Sequence, residues 1–65
     1  MATYEICVHT YNNTMRIEGT RTNLKDAKKL ATKLSRERLY GSPFVQVWKK
    51  NVSYEDGGLV HEIAR

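Results

Sequence analysis

Cys7 and His9 are the residues whose chemistry stands out first. Two positions apart on a strand, they would share a face, and a thiolate beside an imidazole is a nucleophile. No third group orients the pair, and no glycine-rich turn offers an oxyanion site beside it. We therefore read them as an edge or surface cysteine beside a surface histidine. His61 would add a third metal ligand if the first and last strands paired, but the spacing fits no zinc pattern. No metal and no cofactor is expected. Carboxylates for acid–base work would come from Glu5, Glu18, Glu55, Asp56 and Glu62. Glu55 and Asp56 sit in a turn, and the other three lie on strands beside basic neighbours. No GxGxxG, P-loop or nucleophile elbow is present, so we expect no enzyme.

The elements that would position these residues are short. Thr3 to Thr10 alternates, with Tyr4, Ile6 and Val8 on one side and Glu5, Cys7 and His9 on the other, which predicts a half-buried strand. Tyr11-Asn12-Asn13-Thr14 predicts a turn, and Met15 to Glu18 a second strand that closes a hairpin. Gly19 marks either a bulge or the strand's end. Phe44 to Lys49 reads as a third strand near the sheet centre, because apolar residues occupy both parities. Val52 to Tyr54 and Leu59 to Ile63 flank Glu55-Asp56-Gly57-Gly58, a strong turn signal.

Between the second and third strands lies the clearest pattern in the chain. Asn23 is a good N-cap, and Asp26 at the third helical position suits the helix dipole. At 100° per residue from Leu24, the residues Leu24, Ala27, Leu30, Ala31 and Leu34 fall between about 240° and 360°. Lys25, Lys29, Lys33 and Arg36 fall between about 100° and 180°, on the opposite face, with Lys28 on the flank near 40°. Arg38 would return to the apolar side, so the helix should fray near Glu37, and Gly41 and Pro43 prevent its continuation. The order is β-β-α-β-β. The expected fold is α+β: one domain over residues 1–65, an antiparallel sheet with the single amphipathic helix packed on one face.

Size and charge set the functional class. Sixty-five residues bury a thin core and leave little room for a deep substrate cavity, which favours surface recognition. The net charge is +4, with a pI near 9.5. From Thr20 to Lys50 there are nine basic residues against two acids, a balance of +7 that leaves −3 for the two ends. Such asymmetry points to a basic patch facing nucleic acid or a protein that handles it. The stripe of four cations on the helix has no acid between its members. It lacks the usual Glu–Lys pairing and costs the free helix a few tenths of a kcal/mol per like-charged pair. Of the aromatics, Tyr4 and Trp48 are expected to pack in the core or on the sheet, and Tyr40 at the helix exit is the best candidate for an exposed contact. One cysteine allows no internal disulfide, no apolar run approaches a bilayer span, and no apolar segment follows Met1, so the expected setting is the cytoplasm.

Several strings recur together in a recognisable order. Glu18-Gly19-Thr20 ends the hairpin, Leu24-Lys25-Asp26-Ala27-Lys28-Lys29-Leu30-Ala31-Thr32-Lys33 forms the helix, Gly41-Ser42 leads into Phe44-Val45-Gln46-Val47, and Tyr54-Glu55-Asp56-Gly57 forms the last turn. In order and spacing this set resembles the small phage-encoded anti-CRISPR proteins of type I-F, specifically the ninth numbered family. The resemblance implies a sheet with one helix, made in the cytoplasm of an infected bacterium. It implies binding to the crRNA-guided surveillance complex, on the backbone subunits that cradle the guide, with target DNA prevented from pairing and non-specific DNA binding by the complex promoted. Basic helix residues carry the key contacts in that family, and the matching positions are Lys28, Lys29 and Lys33; a polar family residue falls on Ser35. The expected partner-binding set is therefore Lys28, Lys29, Lys33, Arg36, Lys25 and Tyr40, on a monomer that makes no use of a membrane. The alternative expectation is a small basic phage accessory protein that binds nucleic acid directly through the same helix.

Overall fold

A computed structural model describes residues 2–10, 14–37 and 44–64. Its elements are β1 (Tyr4–His9), β2 (Met15–Arg21), α1 (Leu24–Glu37), β3 (Val45–Lys49) and β4 (Leu59–Ile63). The four strands form one antiparallel sheet in the order β2-β1-β3-β4. Among the described residues, the β-β-α-β-β order and the single helix lying across the sheet agree with the sequence reading.

Alternation in the two central strands fixes which face the helix covers. Ile6 pairs with Val47 and Val8 with Val45. All four are fully buried, as are Ala27 and Ala31 of the helix, with Leu34 nearly so. Leu24, Leu30, Tyr4, Val60 and Ile63 complete this layer from its rim. The alternate positions Glu5, Cys7, Gln46 and Trp48 therefore occupy the sheet face that carries no helix.

The hairpin runs further than the sequence suggested. Beyond Glu18 the pairing continues through Gly19, Thr20 and Arg21, opposite Ile6, Glu5 and Tyr4. The register shifts between Ile6 and Cys7, so the bulge falls at Glu18 and the glycine follows it. Gly19 then lies beneath the helix: a Cβ there would stand 2.8 Å from Leu30 Cδ2. Its bare backbone lets α1 reach across to the edge strand. The turn expected over Tyr11, Asn12 and Asn13 lies outside the described residues. On its flanks the Thr10 N–H donates to the Thr14 carbonyl (2.8 Å).

Val52 to Tyr54 is no strand; β3 itself pairs with β4, and residues 50–58 connect them. Asn51 takes a left-handed conformation with φ of 63°, which turns the chain away just after β3. The Lys50 N–H goes to the Thr3 carbonyl (2.8 Å), and Val52 donates back to Lys49 (3.2 Å). The apolar alternation there is too short to compete with the longer ladder of β3. The turn itself is where expected: Gly57 has φ of 84°, and Asp56 and Gly58 both donate to the Ser53 carbonyl.

Gly58 is held tightly, since a Cβ on it would collide with the carbonyl oxygens of Val52 and Ser53, which are backbone atoms. Gly58→Ala should therefore lower stability by about 2 kcal/mol or more, visible as a reduced urea midpoint with unchanged m. Gly57→Ala, where space is open, should cost only about 1 kcal/mol through its backbone conformation.

Candidate functional site

The helix begins as its cap dictates. Asn23 Oδ1 accepts the Lys25 N–H at 2.8 Å, and the Asn23 carbonyl accepts the first helical bond from Ala27 at 2.9 Å. With the start fixed and the alanines pressed to the sheet, the opposite positions must face solvent. Lys25, Lys28, Lys29, Lys33 and Arg36 are all exposed. Among the described residues no carboxylate lies within ion-pair distance of any of these five; the ion pair the structure does hold joins Arg16 and Glu18 on β2 (3.3 Å).

The four helix lysines fall around two shallow depressions. Lys25, Lys28, Lys29 and Thr32 line one of about 360 Å³. Arg21, Asp26, Lys29, Leu30 and Lys33 line the other, of about 300 Å³, between the helix and the end of β2. Lys29 borders both and so lies at the centre of the basic surface. Arg21 was not singled out from sequence. Its pairing with Tyr4 places it on the helix side of the edge strand, and its Nη1 donates to the Thr20 carbonyl at 2.6 Å. The only sequence signal for it was its membership of the basic middle of the chain; its position needed the register beyond the bulge.

Of the residues expected to contact a partner, Lys25, Lys28, Lys29, Lys33 and Arg36 are brought onto one exposed surface. Tyr40 lies outside the described residues, as do Arg38, Gly41 and Pro43. Ser35, matched to a polar family position, is 1% exposed and held in the helix–sheet layer. It cannot reach a partner without unpacking the helix.

The remaining chemical candidates separate. Cys7 is neither at an edge nor on the surface, as the sequence suggested: β1 lies between β2 and β3, and Cys7 is buried there. It shares the open sheet face with His9, which packs edge-on against Phe44, with ring centroids 5.5 Å apart. His61 does not approach them, because β3 stands between β1 and β4 and His61 pairs with Val47 on the other parity. No group of three metal-ligating side chains occurs among the described residues. Among the described residues no helix is long and apolar enough to cross a membrane. A groove of about 510 Å³ on the open sheet face is larger than either depression on the basic side.

Burial raises the Cys7 thiol above its ordinary value of 9.0, and the charge of Glu5 adds to the rise. A raised thiol is held protonated in the folded chain. Its contribution to stability is whole below the unfolded value and is lost as pH climbs from there through the raised native value. The urea midpoint should thus fall above about pH 9 more steeply in this protein than in a Cys7→Ala variant. Iodoacetamide should alkylate Cys7 more slowly in the native than in the urea-unfolded chain. Set beside known proteins, the chain matches no protein-family model, no curated protein and no solved structure.

Proposed function

We propose that this chain is a non-catalytic binding domain, a phage-encoded anti-CRISPR inhibitor that sets the basic face of α1 on the backbone subunits of a crRNA-guided surveillance complex and prevents target DNA from hybridising. The observation that carries this reading is the exposed run Lys25, Lys28, Lys29, Lys33 and Arg36, with no carboxylate partner among the described residues, directed away from the packed layer. The collinear resemblance in the helix and turns supplies the partner. The mechanism is steric and electrostatic. Ammonium and guanidinium groups occupy the acidic or RNA-bearing surface that the incoming strand would use, and nothing turns over. The setting for such an inhibitor is the cytoplasm of an infected bacterium.

Long side chains suit this task. An exposed lysine carries its ammonium on a flexible four-carbon stem, so a face of such residues adapts to a rigid partner. The like-charge repulsion along the stripe is relieved when an anionic surface arrives, which favours the bound state.

Immobilised type I surveillance complexes, with and without target DNA, should retain the protein only when target DNA is absent. Lys29→Glu with Lys33→Glu should weaken this association by about a hundredfold or more and leave the circular dichroism spectrum unchanged. Retained binding by the double variant would move the site off the helix. The alternative, direct nucleic-acid binding through the same lysines, predicts affinity for free DNA whose logarithm falls with the logarithm of salt at a slope of about three to four, if that many phosphates are neutralised. Binding to free DNA but to no surveillance complex would favour that alternative.

A further inference from the structure

The sheet face away from the helix is the less charged side of the molecule, and it is not sealed. Met15 and Ile17 lie there by their pairing with His9 and Cys7, and are 41% and 53% exposed. The groove on this face is bordered by Glu5, Cys7, Met15, Gln46, Trp48 and Val52. Two of its polar side chains are tied to one another. Trp48 Nε1 donates to Gln46 Oε1 at 3.0 Å, and Gln46 Nε2 donates to Glu62 Oε2 at 2.9 Å. That chain of bonds fixes the indole and uses its only donor, so what Trp48 offers to a ligand is its ring.

Glu5 stands directly across from Trp48 in the β1–β3 ladder. Residues paired in this way point to the same face with Cβ atoms about 5 Å apart. Tyr54 flanks the indole from the β3–β4 connection, with ring centroids 6.1 Å apart and planes tilted by 52°. Glu5 makes no ion pair among the described residues, although Lys49 borders the end of the same groove. A carboxylate without a cation partner, beside an aromatic ring and among apolar side chains, is the complement of a guanidinium on an apolar segment. The ring face attracts the cation, the carboxylate pairs with its N–H groups, and the alkyl stem lies on Met15 and Val52. Glu62, paired with Gln46 on the same face, adds a second negative charge. This sign opposes a nucleic-acid backbone and favours a basic protein surface.

We propose that the open sheet face is a second docking surface, on which Glu5 and Trp48 receive an arginine side chain presented by an apolar segment of a protein partner. The surface is separate from the basic helix face, so a protein with both can contact two surfaces of opposite charge at once.

Trp48 is the single tryptophan of the chain, so its indole N–H resonance reports on this site alone. The probes are the blocked tripeptide acetyl-Leu-Arg-Leu-amide and its citrulline counterpart, which keeps shape and loses charge. Titrated to about 10 mM, where a millimolar site is filled, the arginine peptide should move the Trp48 resonance saturably. The citrulline peptide should bind about five- to tenfold more weakly, and Glu5→Gln should weaken the arginine peptide by a similar factor. Lys29→Glu with Lys33→Glu should leave this binding unchanged, so failure here is distinct from failure of the helix site. The comparison of the two peptides on the unaltered protein stands even if Glu5→Gln does not fold. No saturable shift, equal binding of the two peptides, or a Trp48 response to oligothymidine in place of the peptide would overturn the proposal.

Discussion

The contact of the small, apolar helix stripe with the two central strands organises everything else in this chain. Ala27 and Ala31 carry no more than a methyl group, so α1 lies close against Ile6, Val8, Val45 and Val47. Each of those four side chains is worth about 1.5–3 kcal/mol when fully buried. A repulsive pair of lysines on the outer surface costs about 0.2–0.5 kcal/mol. The inner contact decides the helix's rotation by a wide margin, and the lysines have no choice but to face outward. Gly19 extends the same contact to the edge strand by making room for Leu30.

That rotation gives the molecule two unlike sides. Helix and β2 end present Lys25, Lys28, Lys29, Lys33, Arg36 and Arg21 on or beside one surface. The far face of the sheet presents Met15, Ile17, Trp48 and two carboxylates, Glu5 and Glu62. A four-stranded sheet with a single helix always leaves one face without a second layer. In a chain of this size that face is either made polar or given a use. Here it is mixed: an internal ladder of hydrogen bonds keeps Gln46 and Trp48 satisfied, while apolar side chains remain in contact with water.

The helix surface was legible in the sequence because a period of 3.6 separates leucines from lysines without any knowledge of neighbours. The central place of β3 was legible for a similar reason, since both of its parities are apolar. Arg21 was not, because its side of the sheet depends on a bulge that resets the register between Ile6 and Cys7. Where β3 ends was not legible either: the left-handed turn at Asn51 closes the ladder before Val52 to Tyr54. The groove between Glu5 and Trp48 required the strand order, which places residues more than forty positions apart directly opposite one another. Convergence across strands, as for Cys7, His9 and His61, is the kind of claim that sequence alone states and topology decides.

A lysine-resolved footprint tests the proposed working surface most directly. The protein is reductively methylated with limiting reagent, free and bound to a purified type I surveillance complex, and each lysine's modification is followed by mass spectrometry. Lys25, Lys28, Lys29 and Lys33 should be slowed in the complex, with Lys29 slowed most because it borders both basic depressions, while Lys50 keeps its free rate. Protection of Lys49 and Lys50 with the four helix lysines unchanged would contradict the account.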